Sequence, residues 1–186
     1  MNERRDIDRM ELFAGLSLEL RAALQNESRV VECDGRTVIC QTGTPADCVF
    51  SLLSGQIQIY RGSNEKHAVL LVIGAGEVFG LRSVLTTGVF TETAEAVGPC
   101  RVLKTPAQTF LGIVERDPHF AGAVAHILSR RLQMISDHFE RIQLMPAPQR
   151  LADYLMRFAP GNGEAYEVKL PFEKKLIANY LGMEPA

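Results

Sequence analysis

One stretch constrains this fold more than any other. After Pro118 the chain contains no proline until Pro146. Pro118 suits the first turn of a helix, where its missing N–H costs nothing, and Asp117 before it is a favourable N-cap. Apolar residues then recur at helical spacing up to Met145. Such a helix would be roughly 40 Å long at 1.5 Å per residue, which is more than a small domain needs. We therefore expect residues 117–145 to form one long helix that requires a partner surface.

We expect this helix to pair with its copy in a second chain. Steps of three and four residues give it a stripe close to the seam of a coiled coil. The predicted dimer interface consists of Val124, Leu128, Arg131, Ile135, His138 and Ile142. The alternative is a long helix packed inside a monomer, since helices of this length also occur singly. The stripe favours the dimer.

Composition excludes several classes of protein. The 186 residues are 46% hydrophobic and 23% charged, an ordinary globular mixture. The net charge of −2 creates no overall field for nucleic acid, so any DNA contact must come from a local surface. No apolar run is long enough to span a bilayer, and the N-terminus lacks the apolar core of a secretory signal. We expect a cytoplasmic protein, whose four cysteines are small buried side chains rather than a disulfide framework.

Residues 29–105 have the pattern of a β-rich domain. Short runs typical of strands alternate with glycines at or near turns, and residues 56–60 alternate between polar and apolar. The predicted strands are 30–33, 37–40, 48–54, 56–61, 68–73, 92–96 and 100–105. Many short strands at this spacing predict an antiparallel barrel or jelly roll. With short helices in residues 8–28, the second capped by Ser17, and another at 106–115, residues 1–116 should form one α+β domain.

The pattern changes again after residue 145, where prolines end the long helix. Amphipathic helices are predicted at residues 149–158 and 172–181, with a short strand at 167–170 between them. Glu184 followed by Pro185 is typical of a helix start. We expect residues 146–186 to be part of a separate small domain that is truncated within its next helix.

Three segments in this order resemble the catabolite activator/fumarate-nitrate regulator (CRP/FNR) family of bacterial transcription factors. The first is DGRTVICQTGTPADCVFSLLSGQIQIY with a later Gly-Glu-x-Phe-Gly, and the second is the long helix. The third, LPFEKKLIANYLGMEPA, is similar to the first helix and turn of a winged helix-turn-helix. The resemblance implies a homodimer with an effector-sensing β-roll (a double-stranded β-helix) similar to cyclic nucleotide-binding domains.

The resemblance also implies how DNA would be bound. A symmetric dimer would place two recognition helices in successive major grooves. Lys174 and Lys175 would contact phosphate, which orients a protein without reading sequence. The recognition helix would begin near Glu184, so the residues that read bases cannot be named from this chain.

The resemblance predicts an effector pocket but argues against cyclic AMP. Members that bind cyclic AMP hold its phosphate with an Arg followed by Ser or Thr, and contact its ribose through a Glu. Glu77 matches the Glu, but Phe90 and Thr91 stand at the Arg-Ser position, and Glu92 adds a negative charge that would repel phosphate. Glu77 on its own is expected to tie down a turn. The candidate pocket residues are Gly76, Glu77, Phe79, Phe90, Thr91 and Thr93.

Haem is one candidate cofactor. No cysteine precedes Cys33, which disfavours the iron–sulfur branch of the family, because a [4Fe–4S] cluster needs four thiolates. The remaining resemblance is to the denitrification-associated branch that responds to nitric oxide, which is thought to use haem. His126 and His138 on the long helix are the candidate axial ligands. An unidentified small ligand in the β-roll or against the long helix is the alternative.

Two other functions are less compatible with the sequence. A metalloenzyme of the cupin type would need clustered histidines, whereas the four histidines here include no His-x-His pair. The sequence also lacks a Gly-x-Ser-x-Gly elbow and a Walker loop, so we expect neither catalysis nor a metal site. The main alternative is the cyclic-nucleotide-binding module of a signalling protein, but such a module would not account for residues 170–185.

Overall fold

Two four-stranded antiparallel sheets form the N-terminal half of the protein. The computed structural model describes residues 7, 10–62, 67–158, 170 and 173–183. One sheet has the order β1-β8-β3-β6 and the other β2-β7-β4-β5. The strands are β1 (Arg29–Cys33), β2 (Val38–Cys40), β3 (Cys48–Ser54), β4 (Ile57–Gly62), β5 (His67–Ile73), β6 (Val78–Phe79), β7 (Thr93–Ala96) and β8 (Cys100–Pro106). The jelly-roll-like β-roll of an α+β fold is therefore confirmed, and a long helix follows it as predicted.

Helices precede and follow the β-roll in the sequence, and one short helix lies within it. After a 3-10 turn at Glu11–Phe13, the described helices are α1 (Leu18–Glu27), α2 (Leu81–Leu85), α3 (Ala107–Arg116), α4 (Pro118–Leu144), α5 (Ala147–Met156) and α6 (Lys174–Tyr180). Both predicted caps are confirmed. The Ser17 hydroxyl accepts from the Leu20 N–H at 3.3 Å, and the Asp117 carboxylate accepts from the N–H groups of His119 and Phe120 at 2.9 and 3.1 Å. Each such cap is typically worth about 1 kcal/mol.

Two apolar layers hold the β-roll and the start of α4 together. One layer lies between the two sheets and includes Phe50 and Leu52. The other joins the N-terminal helices, the first sheet and α4. In that second layer the Phe120 ring lies 6.1 Å from Phe13 and 5.3 Å from Phe110, measured between ring centroids. These contacts fix the N-terminal part of α4 against its own β-roll.

Two short elements were absent from the sequence-based prediction. The strand β6 has two residues and α2 has five, too few for either to produce a detectable periodicity. Gly80 separates them with a φ of +83°, which favours glycine. Most of the strand expected at residues 167–170 lies outside the described residues.

The last described helix packs back on the β-roll. Leu176 of α6 lies in one apolar cluster with Tyr60 and Val69 of the second sheet. Arg150 of α5 donates to the carbonyl groups of Leu181 and Gly182 just after α6, at 2.8 and 3.2 Å. In the part of the chain that the structure describes, no helix is both long enough and apolar enough to cross a membrane.

Two glycines with similar backbone angles offer a matched test of packing. Gly55 and Gly43 have φ values of +90° and +86°. A Cβ at Gly55 would lie 2.5 Å from the Cβ of Cys100, whereas a Cβ at Gly43 would meet no atom within 4 Å. Gly43→Ala should cost roughly 1–2 kcal/mol for the left-handed conformation alone. Gly55→Ala should cost about 2 kcal/mol more, because its backbone must also move. Urea unfolding of both variants checks this, and equal losses of stability would contradict the close approach.

Candidate functional site

A cavity lies between the β-roll and the long helix. Its volume is about 320 Å³, at the lower end of the roughly 300–1,000 Å³ usual for small-molecule sites. The 3-10 turn, the start of β6 and one face of α4 surround it. Its lining combines apolar side chains with charges of both signs: Glu11, Leu12, Gly76, Glu77, Val78, Ala123, His126, Ile127, Arg130, Arg131 and Met134. The lining suits a ligand that has both an apolar body and a charged group.

Glu77 and Arg131 connect the two walls of this cavity. The Gly74 N–H donates to the Glu77 carboxylate at 2.6 Å, which confirms that Glu77 ties down a turn. From the other wall, the guanidinium of Arg131 donates to the carbonyl oxygen of Val78 at 2.9 Å. Burial lowers the pKa of Arg131, while the negative charge of Glu77 opposes that shift. A polar contact between Arg131 and Val78 therefore links the two walls of the cavity.

The six residues predicted to form one effector pocket lie in three different places. Gly76 and Glu77 line the cavity on α4. Phe79 and Phe90 lie inside the β-roll, where their rings stand 5.0 and 6.0 Å from the ring of Phe50. The interior position expected for a ligand is therefore packed with aromatic rings.

Thr91 and Thr93 complete the six, and they point in different directions. Thr91 accepts a hydrogen bond from Arg82 at the surface. The hydroxyl of Thr93 is buried and lies 3.1 Å from that of Thr42. Residues 91 and 92 form a bend just before β7, so the side chains of residues 90 to 93 do not converge on one space.

The two histidines predicted as candidate haem ligands lie in different parts of the structure. His126 lines the cavity, whereas His138 stacks on Tyr180 with 4.5 Å between ring centroids. His126 together with Arg130 and Arg131 supplies an axial-ligand candidate and two cations for carboxylates, so these residues are compatible with haem. Among the described residues, no three His, Cys, Asp or Glu side chains are grouped so as to hold a metal ion.

The exposed apolar stripe of α4 differs from the predicted interface. Val124 is only 4% exposed and belongs to the protomer's own core. Arg131 and His138, seven and fourteen residues further on, likewise face Val78 and Tyr180 of their own chain. This correction has a simple cause, because the first turns of α4 are bound to the β-roll and fix the rotation of the whole helix.

The exposed apolar stripe overlaps the predicted one and shares Leu128 and Ile135 with it. Leu132, Ile135 and Phe139 are 65%, 46% and 63% exposed. With Ala125 and Leu128 they repeat at steps of three and four residues. We call Ala125, Leu128, Leu132, Ile135 and Phe139 the exposed seam. The sequence contained a signal for it, because all five residues are apolar, whereas the predicted stripe included an arginine and a histidine.

The expected DNA-contacting residues lie on or beyond α6. Lys174 and Lys175 are exposed at its first turn, and Lys175 lines a second cavity of about 480 Å³ between α6 and the β-roll, opposite Gln58 and Glu95. Glu184 lies outside the described residues. Lys175 thus faces the β-roll in this arrangement.

Comparisons with known proteins agree with this architecture. Residues 30–117 match the family model of the cyclic nucleotide-binding domain. The CRP-like cAMP-activated global transcriptional regulator of Mycobacterium tuberculosis is 24% identical over 180 residues, covering 94% of this chain and 80% of that protein. The cyclic AMP receptor protein of Thermus thermophilus is 27% identical over 163 residues, covering 85% and 74%.

A solved structure extends the likeness to most of the chain. The crystal structure of DNR from Pseudomonas aeruginosa is 27% identical, with a TM-score of 0.59 over 97% of this chain and 81% of that one. The β-roll is thus of the cyclic nucleotide-binding type. The two curated relatives are both named as regulators or receptors of the CRP type.

His138 should make the contact between α4 and α6 sensitive to pH. Burial is the main cause that lowers its pKa, and the charges of Arg141, Arg157 and Arg150 lower it further, against a hydrogen bond with the Tyr180 backbone. A folded-state pKa below the unfolded value means that the unfolded chain binds the proton more tightly. The stability contribution is therefore complete above the unfolded pKa, about 6.5, and is lost as pH falls below it.

His138→Phe should keep the stacking on Tyr180 but remove the titrating group. We expect the melting temperature of the native protein to fall more between pH 7.5 and pH 5.5 than that of His138→Phe. The control is His119→Phe at an exposed site on the same helix, which should retain the native pH dependence. Identical pH profiles for all three proteins would show that His138 does not act in this way.

Proposed function

We propose that the protein is a homodimeric transcription regulator of the CRP/FNR type. An effector bound between the β-roll and α4 changes the orientation of the C-terminal DNA-binding segments. We assign residues 1–116 to effector sensing, 117–145 to dimerisation and 146–186 to part of a winged helix-turn-helix. The observation that carries the proposal is the exposed seam on α4, beside a β-roll whose relatives are named as transcriptional regulators. Since DNA is the proposed partner, we expect the protein to act in the cytoplasm.

The exposed seam is best accounted for by a second copy of this chain. Burial of one exposed Leu, Ile or Phe side chain stabilises by roughly 1.5–3 kcal/mol, and three such side chains recur here within eight residues. A two-fold axis that runs along two parallel copies of α4 would bring each seam onto itself, as an isologous interface requires, and would keep both C-terminal segments at the same end. The steps of three and four residues match knobs-into-holes packing.

The contacts within the protomer suggest how the effector signal would travel. Arg131 and Val78 connect the cavity wall to α4, and His138 connects α4 to Tyr180 of α6. Met145 and Pro146 separate α4 from α5 and would serve as the hinge. A ligand can shift this arrangement only by binding one state more tightly than the other. We therefore propose that the effector competes with, or strengthens, the Arg131 contact.

We propose that the effector is not cyclic AMP, although two relatives are named for it. Phe90 fills the interior of the β-roll and Glu92 places a carboxylate beside it. A haem or another small ligand at the cavity on α4 is the proposed effector, and haem would supply an iron that binds a gas. His126 would be the axial ligand, with Arg130 and Arg131 beside the carboxylates. The alternative function remains a cyclic-nucleotide-binding module of a signalling protein, which would need no operator.

Ile135→Glu tests the dimer and its role together. Two glutamates placed across the two-fold axis lack partners, so the dimer should weaken by roughly 100-fold or more. Analytical ultracentrifugation measures this. Leu18→Glu is the matched control, because Leu18 is 86% exposed and lies on α1 away from the seam, and it should stay dimeric. An unchanged Ile135→Glu dimer would contradict the proposed interface.

The same proteins test the regulator function. The protein, expressed from its own gene, is used to select DNA duplexes from a pool of random sequences. The selected duplexes should be enriched in a palindrome whose half-sites lie about 10 base pairs apart, which is one duplex turn. Leu18→Glu should enrich the same palindrome, and Ile135→Glu should lose it. If the native dimer enriches no sequence at low salt, the regulator function is wrong and the signalling module gains support.

The effector cavity is tested by reconstitution with haem. The native protein should give a Soret band that shifts on addition of nitric oxide, and His126→Ala should abolish or displace this band. His119→Ala, at an exposed position on the same helix, should leave the band unchanged. A native spectrum identical to that of free haem would exclude haem and leave another small ligand for the cavity.

A further inference from the structure

Glu92 makes an unusual set of contacts at one end of the β-roll. The guanidinium of Arg82 donates a hydrogen bond to the Glu92 carboxylate and forms an ion pair with it. The other carboxylate oxygen accepts from the hydroxyl of Thr91 at 2.9 Å. A second guanidinium, that of Arg61, lies 3.8 Å from the carboxylate. One carboxylate thus meets two cations and one hydroxyl.

These three donors are held by contacts of their own. Arg61 of β4 donates through Nε to the carbonyl oxygen of Thr91 at 3.0 Å. Arg82 of α2 also donates to the hydroxyl of Thr91. The backbone N–H of Thr91 donates to the buried hydroxyl of Ser83 at 3.3 Å. The donors come from separate elements and do not depend on Glu92 alone, so they should remain in place without its carboxylate.

The cluster formed by Arg61, Arg82 and Glu92 carries an excess of positive charge. Two guanidinium groups surround one carboxylate, which leaves a net charge of +1 at the cluster. Burial lowers the pKa of Arg82, and the charge of Arg61 lowers it further, yet a guanidinium remains a cation at neutral pH. The Glu92 side chain is 21% exposed and those of both arginines about half exposed. The cluster is therefore open to an anion from solution once the carboxylate is removed.

Guanidinium forks with a nearby hydroxyl are well suited to a phosphate group, which offers more oxygen atoms and up to one more negative charge than a carboxylate. We propose that the Glu92 carboxylate is a tethered ligand that fills an anion site and thereby excludes phosphate-bearing effectors from this end of the β-roll. A ligand on a short tether has an effective concentration in roughly the millimolar range. A phosphate ligand that binds the site more weakly than this concentration requires cannot displace the Glu92 carboxylate.

The tethered carboxylate also has a structural consequence. It joins α2 to the segment just before β7 through Arg82, without any added ligand. An effector is then unnecessary for ordering this end of the β-roll, and sensing is left to the cavity on α4. This inference does not rest on DNA binding, since anion binding is measured directly on the purified protein.

Glu92→Ala should open the site. Isothermal titration with inorganic phosphate, and separately with cyclic AMP, should detect saturable binding to the variant that is at least about tenfold tighter than any binding to the native protein. Adding Arg82→Ala to Glu92→Ala should abolish the gain. Glu32→Ala is the control, because it removes the same charge from an exposed carboxylate that pairs with Arg101 elsewhere on the β-roll, and it should show no gain.

Each outcome of these titrations either supports or contradicts the proposed tethered ligand. Binding of either probe to Glu92→Ala, lost in the double variant, supports the tethered ligand. If Glu92→Ala is folded by circular dichroism and binds neither probe, the inference is wrong. It is equally wrong if the native protein binds phosphate as tightly as the variant does. Should Glu92→Ala fail to fold, Glu92→Gln retains the size and hydrogen-bonding capacity of the side chain while removing its charge, and the same titrations decide.

Discussion

The packing of the first turns of α4 against the β-roll determines most of the other features. Phe120 and Val124 are buried there among aromatic and aliphatic side chains from the N-terminal helices and α3. A helix is rigid about its axis, so fixing two residues near one end fixes the direction of every later side chain. Arg131 then meets Val78, and Ile135 points away from the protomer. The cavity, the exposed seam and the contact with α6 all follow from that single rotation.

That rotation places the cavity and the exposed seam on neighbouring faces of the same helix. His126 and Arg130 line the cavity, while Leu132 and Ile135 lie on the exposed seam. In the proposed dimer, a ligand that moves the cavity wall by a small amount would therefore also alter the packing of the two seams. Packed interfaces resist gradual deformation, so a small shift favours a change between two discrete arrangements. The His138–Tyr180 contact gives α6 a place in the same change.

Sequence reasoning succeeded where the pattern is local. Asp117 and Pro118 mark the start of α4, and alternation together with glycines locates seven of the eight described strands to within about two residues. It failed where the outcome depends on distant residues. The rotation of α4 depends on the packing of Phe120 against Phe13, which is far away in the chain. The pairing of Arg82 with Glu92 depends on α2, an element too short to predict.

The interior of the β-roll and its outer end are both occupied by the chain itself. Phe79 and Phe90 pack against Phe50 between the sheets, where burial of each aromatic ring contributes favourably and leaves no polar partner for a ligand. Glu92 satisfies the arginines at the outer end. Phe90 and Glu92 thus occupy adjacent parts of one potential site, Phe90 through the volume of its ring and Glu92 through its charge. The effector of the proposed regulator would therefore use a different surface, and the cavity against α4 is bounded by both the β-roll and the helix that carries the exposed seam.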